Sequence, residues 1–224
     1  SYEGFGFIGF FIVRPDLRGK GIGGTFWEWL CKLHRERLGQ DAAIGLDGVF
    51  DVQPFYAKSG FQFSHRNLRM QGVGCACPSV SDIELVPLSD LVFEDVSQYD
   101  QRHFGYDRKP FLQLWICPEG GLALGSLKHG QLNGMGTVRP CHNGFKIGPL
   151  FADDAATADQ IFRALSNHAA GAIIFLDVPE NSPAALALAQ QHELTEVFGW
   201  GDNTGQPRRI CATWHESCKT GIRM

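Results

Sequence analysis

Between Pro15 and Thr25 the sequence reads PDLRGKGIGGT, with glycine at 19, 21, 23 and 24 and two cations, Arg18 and Lys20, among them. Glycine lets main-chain N–H groups turn towards a single point, and a helix start adds first-turn donors that lack intrahelical partners. With two positive charges beside them, such donors favour an anion, a pyrophosphate above all. A second reactive group is the phenol of Tyr56, within the run PFYAKSGF at 54–61.

The elements around the loop follow from its flanks. Phe11, Ile12 and Val13 form a β-prone run, and Pro15 ends it because proline brings no ladder donor. Phe26, Trp29, Leu30, Leu33 and Leu38 recur at helical spacing, which predicts a helix after the loop with Gly39 as its stop. A strand at 42–46 comes next. A P-loop is excluded, since Gly19-Lys20 is followed by Gly21 and not by Ser or Thr. Gly19, Gly21 and Gly24 do satisfy G-x-G-x-x-G, with Asp41 and Asp47 as candidate ribose-binding acids. In that nucleotide fold, however, the glycines follow the strand directly, whereas here Arg-Pro-Asp-Leu-Arg intervenes at 14–18.

A third pattern fits better. Arg18-Gly19-Lys20-Gly21-Ile22-Gly23 matches [R/Q]-x-x-G-x-[G/A], Val13 to Arg18 supplies V-x-P-x-x-R before it, and Tyr56 to Phe61 reads Y-x-K-x-G-F after it. Over residues 5–70 the sequence resembles the GCN5-related N-acetyltransferases (GNAT). The resemblance implies acetyl-CoA as co-substrate, its pyrophosphate held by Arg18, Gly19, Lys20, Gly21, Ile22, Gly23 and Gly24, and its pantetheine arm on the main chain of Ile12 and Val13. It further implies a small-molecule or peptide amine as acceptor and Tyr56 as the acid that protonates the departing sulfur. The base stays unassigned between Glu3 and an ordered water.

Composition limits the other classes. The 224 residues are 44% hydrophobic and 20% charged with net charge −4, ordinary for a globular chain, without a basic field for nucleic acid and compatible with a cationic amine. No apolar run is long enough to span a bilayer and the first residues do not read as a signal peptide, so a cytoplasmic protein is expected. Seven cysteines at irregular spacing suggest free thiols, and Cys75-Ala76-Cys77 has no second pair with which to hold a metal. His65 and His103 read as structural or surface histidines.

The second half carries its own pattern. Residues 71–82, QGVGCACPSVSD, read as a linker. Beyond them a strand is expected from Ile83, helix over 92–116 broken near Gly105 or Pro110, strands at 122–127, 134–138 and 144–151, a helix at 154–168, a strand at 172–177 and a helix at 182–191. This plan repeats the first half, with Leu46-Asp47 matched by Leu176-Asp177. Where the first copy has its basic glycines the second has Ala152-Asp153-Asp154, whose carboxylates would repel a pyrophosphate. Asp47 and Asp177, common to both copies, read as turn or cap residues.

The expected fold is therefore α+β: tandem GNAT-like mixed β-sheets flanked by helices. Residues 1–70 would form the C-terminal half of an acetyl-CoA-binding domain, 83–200 a second lobe without a pyrophosphate loop, and 201–224 a polar tail. The first lobe looks truncated, so roughly 50 residues are expected to precede Ser1. The function expected from the resemblance is acetyl transfer to an amine. Two other classes stay open, a non-catalytic acyl-CoA-binding protein and a nicotinamide-dependent oxidoreductase using Gly19, Gly21 and Gly24.

Overall fold

The computed structural model describes residues 2, 4–39, 41–76, 84–205 and 222–223. The chain divides into two compact units, one of Ser1–His65 with Trp200–Ala212, the other of Arg66–Gly199 with Thr213–Met224.

The first unit runs β1 (Phe5–Ile8), α1 (Ile22–Leu38), β2 (Ala43–Gly48), α2 (Gln53–Lys58) and the start of β3 (Phe61–Val73). β1 pairs with β2 in parallel from Phe5↔Ala43 to Ile8↔Leu46, and residues 201–205 pair antiparallel with the other edge of β2. The expected strand at 11–13 is not formed. Phe10 adopts φ 55, a left-handed conformation that carries the chain out of the ladder, and residues 9–14 run without strand pairing. Helix α1 stands where the periodicity put it, but its buried face is Trp27 and Cys31, while Phe26 and Trp29 are 45% and 55% exposed. Apolar residues occupy two adjacent faces of α1, and the spacing of one face alone did not show which would turn inward.

The second unit comprises the rest of β3, then β4 (Glu84–Pro87), α3 (Phe93–Phe104), α4 (Lys109–Trp115), β5 (Leu122–Lys128), β6 (Gln131–Cys141), β7 (Gly144–Ala152), α5 (Ala155–His168), β8 (Ile173–Pro179), α6 (Pro183–Gln191), the first part of β9 (Thr195–Gly205) and β10 (Ile222–Arg223). β4 to β7 form an antiparallel meander, β7 pairs in parallel with β8, and β8 pairs antiparallel with β3. One core, with Ile147, Ile161, Phe162, Leu165 and Leu176, lies under α5 and α6; another, with Leu88, Val96, Leu112, Met135 and Phe151, lies under α3 and α4. Only glycine at 136 lets α5 come this close, since a Cβ there would lie 2.8 Å from Ile161 and 2.9 Å from Leu165.

Three boundaries differ from the sequence reading. β3 continues to Val73, so residues 71–73 of the expected linker are strand, and the units divide between His65 and Arg66; residues 77–83 lie outside the described ones. Of the expected polar tail, residues 201–205 are strand and belong to β9, and residues 206–221 lie outside the described ones. Asp47 and Asp177 are neither turn nor cap residues but members of β2 and β8.

Of the two candidate break points between α3 and α4, Gly105 is the one used. It takes φ 94 at the end of α3, whereas Pro110 sits in the first turn of α4, where a missing N–H costs nothing. The break is clamped by a buried ion pair: Arg108 donates to both carboxylate oxygens of Asp100 at 2.7 Å, and its guanidinium lies 3.9 Å from the centre of the Phe104 ring. Both side chains are almost fully buried. Asp100→Asn would leave the Arg108 charge uncompensated and should cost about 3–5 kcal/mol, lowering the melting midpoint by roughly 6–20 °C. A calorimetric midpoint within about 2 °C of wild type would show that the pair does not hold the break.

Candidate active site

The site begins where β1 and β2 part. Beyond Ile8↔Leu46 the two parallel strands are no longer paired, and a cleft of about 1040 Å³ opens between the departing segment 9–13, the glycine loop, β2 and α2. Among its walls are Phe7, Phe10, Phe11, Ile12, Val13, Trp27, Val49, Phe55 and Tyr56, with Arg18, Asp47 and Asp51 as the charged groups. Ile12 has no main-chain partner among the described residues, nor does the N–H of Val13. The Val13 carbonyl does, since Arg18 donates to it from Nε at 2.9 Å.

The loop has the backbone that its glycines permit. Gly19 and Gly21 take φ 73 and 78, a region other residues enter only under strain, and a Cβ on either would meet nothing within 4 Å. Gly21 is the N-cap of α1 and brings no capping side chain, so the N–H groups of Ile22, Gly23 and Gly24 have no partner among the described residues. No acidic residue lies in this first turn. The arrangement is an open, positively polarised end beside Arg18, suited to an anion. Arg18, Gly19, Gly21, Gly23 and Gly24 line the cleft; Lys20 and Ile22 do not.

Tyr56 is placed by packing from two sides. Trp27, 3% exposed, lies 5.1–5.5 Å from the rings of Phe11, Phe55, Tyr56 and Phe61, and its Nε1 donates to Ser59 Oγ at 2.8 Å. On the other side the Tyr56 ring lies against the backbone of Gly48, where any Cβ would collide with it. The ring is 6% exposed, yet its hydroxyl has no hydrogen-bond partner among the described residues while the residue lines the cleft. Burial pushes the phenol above its ordinary pKa, so it stays protonated and able to donate at neutral pH.

The second copy repeats this geometry with different occupants. β7 and β8 also part after an Ile–Leu pair, Ile147↔Leu176, and the next residue on β8 is Asp177. There the Gly148 carbonyl accepts from Trp115 Nε1 at 3.0 Å, and β10 pairs with β7 at Leu150 and Phe151. Asp177 accepts from Arg69 at 2.9 and 3.1 Å and is also paired with Lys146, whose ammonium is lowered to about 8, chiefly by burial. Asp154 caps α5 by accepting from Thr157 N at 2.8 Å, and Asp153 accepts from Tyr99 Oη and Arg102 at 3.0 and 2.9 Å. The first-turn donor that α1 leaves open is thus used by the protein itself in α5.

The other candidates separate from the cleft. His65 is buried beside Ser64, with 2.8 Å between its Nδ1 and Oγ, and His103 packs in the second unit on Phe151 and Tyr99. Glu3 and Cys77 lie outside the described residues, among which no metal-binding cluster occurs. β1 ends at Ile8, well before Gly19, so the turn of the nicotinamide-binding fold, which follows its strand directly, is not reproduced. Among the described residues no helix is long and apolar enough to cross a membrane. Sequence reasoning missed Phe7, Val49, Asp51 and Phe55 as cleft residues; strand alternation and the turn after Gly48 were the available signals.

Comparison with known proteins agrees with this architecture. Residues 2–61 match the model of the acetyltransferase (GNAT) family, and residues 96–200 match a second one, described as an acetyltransferase (GNAT) domain. The chain is 27% identical over 186 residues to the holothin acyltransferase of a Pseudoalteromonas strain, covering 78% of this chain and 58% of that one. Thus the chain spans little more than half the length of that curated relative. Among solved structures, a candidate acetyltransferase of Pyrococcus horikoshii superposes with a TM-score of 0.78 at 23% identity, covering 99% of this chain and 72% of that one. A tandem GNAT protein from the clavulanic acid biosynthesis pathway does so with a TM-score of 0.58 at 16% identity, covering 88% and 74%. With family models on both halves and the strand-parting motif present twice, the chain belongs to the GNAT acetyltransferase family and carries its fold in tandem.

Proposed function

We propose that the first unit binds acetyl-CoA and transfers its acetyl group to an amine. The observation that carries the reading is the single cleft joining Tyr56 to an uncapped, glycine-rich helix start. The loop and Arg18 would hold the pyrophosphate, the open main-chain groups of Ile12 and Val13 would pair with the pantetheine arm, and Lys20 and Ile22 would contribute charge and a first-turn N–H at the rim. The amine attacks the thioester carbonyl, a main-chain N–H of Ile12 or Val13 stabilises the oxyanion, and the sulfur leaves. Tyr56 donates its proton to that sulfur. The second copy, with the Gly148 carbonyl past its parting point already bonded to Trp115 and its helix already capped by Asp154, would serve as scaffold and bind no CoA.

Cofactor binding is tested by melting the protein with acetyl-CoA, CoA or NAD. At about 100 times its dissociation constant a ligand adds roughly 2.7 kcal/mol, which raises the midpoint by several degrees. The CoA species should produce this shift and NAD should not; an equal or larger shift with NAD would defeat the reading. Gly21→Asp should abolish the shift, because it forces a side chain and a negative charge into a left-handed position where the anion must approach. Asp153→Ala in the second unit should leave it intact, and a loss as large as that of Gly21→Asp would move the site to the other copy.

Tyr56→Phe separates an enzyme from a mere acyl-CoA binder. A thiol has a reference pKa of about 8.5, so assistance to the leaving sulfur is useful but not indispensable, and turnover should fall about 10- to 100-fold with acetyl-CoA affinity unchanged. Since burial raises the phenol, wild-type activity should show no loss from Tyr56 ionisation below about pH 10. Unchanged turnover in Tyr56→Phe would make Tyr56 a packing residue.

A further inference from the structure

The second unit holds a cavity of about 630 Å³ between α3 and the hairpin that joins β5 to β6. Neither the residues at which β7 and β8 part nor the first turn of α5 lines it, so it does not repeat the cleft of the first unit. Asp95, Gln98, Tyr99 and Arg102 stand at i, i+3, i+4 and i+7 on α3, which places them along one side of the helix, and all four line the cavity. The hairpin makes the facing wall. Its two-residue turn, His129 and Gly130 at φ 54 and 75, closes at Lys128↔Gln131, and a register shift after Ser126 sets Leu127 opposite Leu132. Both leucines and Gln131 line the cavity, as does Leu91 just before α3; Leu91 and Leu132 also pack on the core beneath α3.

The polar groups of these walls differ in what already holds them. Arg102 is fixed in place, with its guanidinium carbon 4.7 Å from the centre of the Tyr99 ring and its Nη2 donating to Asp153 at 2.9 Å. Its charge is thereby met, while its remaining N–H donors have no acceptor among the described residues. At the other end the Asp95 carboxylate has neither a hydrogen bond nor an ion pair among the described residues, and the Gln131 amide has no partner there either. The Gln98 amide has one long contact, to Glu94 at 3.4 Å. Along α3 the cavity thus offers an unmatched carboxylate, then two primary amides, one from the helix and one from the hairpin, then a charge-matched guanidinium with donors to spare.

A simple cation would satisfy the first of these groups and leave the others unused. A peptide chain answers all of them. Its ammonium suits Asp95, and each main-chain amide, with one N–H and one C=O, complements a primary amide that both donates and accepts. A carbonyl at the far end accepts from Arg102, and apolar side chains cover the leucines. Asp95 and Arg102 are separated by a helical rise of about 10 Å, which an extended chain spans in about three residues.

We propose that this cavity binds the free N-terminus of a short apolar peptide, its ammonium on Asp95 and its far carbonyl on Arg102. The site belongs to the second unit alone and is independent of what the first unit binds.

The test titrates the tripeptide Leu-Ala-Leu calorimetrically into the chain. Wild type should bind it, and both Asp95→Asn and N-acetylation of the peptide should weaken binding about fivefold or more, since each removes the charged hydrogen bond. Amidation of the peptide C-terminus should change affinity by less than about twofold, because Arg102 needs an acceptor and not a charge. Triglycine, with the same main chain and no apolar side chains, should bind about tenfold more weakly. Glu119→Gln, which makes the same change in net charge away from the cavity, should leave the affinity unchanged. No binding by wild type, or equal affinity in Asp95→Asn or for the N-acetylated peptide, overturns the proposal. So does a diamine, 1,8-diaminooctane, that binds as tightly as the tripeptide, for it would show that the amides and Arg102 recognise nothing.

Discussion

The structure of the site depends on one constraint, that two parallel strands pair as far as Ile8↔Leu46 and then part. A parallel ladder satisfies main-chain donors and acceptors at every step, and ending it leaves polar groups that must find other partners. Here the departing strand turns at Phe10, a bulky residue in the left-handed region, which is a strained choice that only surrounding contacts can maintain. Phe11, stacked on Phe26 and Phe55 and edge-on to Trp27, supplies them. The strain and the aromatic cluster belong together: the cluster holds the chain where the ladder would not.

Trp27 is the hinge of that cluster. It stands one turn into α1, so a residue whose helix start holds the open N–H groups also touches Phe55 and Tyr56 on α2. Each aromatic pair contributes about 0.5–1.5 kcal/mol beyond its buried area, and several converging on one indole fix the distance from the loop to the phenol. The same parting of strands occurs in the second copy, with other groups around it. There a tryptophan donates to the exposed carbonyl and an aspartate caps the helix, so groups left open in one copy are matched in the other. The distinction is carried by Gly21 against Asp154, one a cap with no side chain, the other a cap that is itself an anion.

Much of this was legible because local chemistry speaks directly. The glycine loop, the position of α1 and the repeat with its acidic loop follow from residue types at short spacing, and the Tyr56 helix from the family resemblance. The strand at 11–13 did not, because a β-prone triplet cannot report that its neighbour diverges; pairing is decided by Phe10 and by the register at Ile8. The inward face of α1 was misread because Trp27 and Trp29 are two positions apart, and only contact with α2 selects between them. Asp47 and Asp177 looked alike in sequence and were read as turn residues. What Asp177 does in the fold depends on Arg69 and Lys146, which are distant from it along the chain and join it only through β3 and β7.

A cleft that brings two substrates together must keep their charges apart. In the first unit the cationic loop end with Arg18 and the acidic residues Asp47 and Asp51 line one mainly apolar cavity. Apolar walls exclude water and strengthen each charge's pull on its own ligand. On the proposed reading, a polyanionic cofactor would be drawn to the helix start and repelled by the carboxylates, which would favour its entry with the phosphates at the loop. A cationic acceptor feels the reverse. Tyr56, packed against Trp27 and Gly48 and kept protonated by burial, would meet either ligand as a neutral donor.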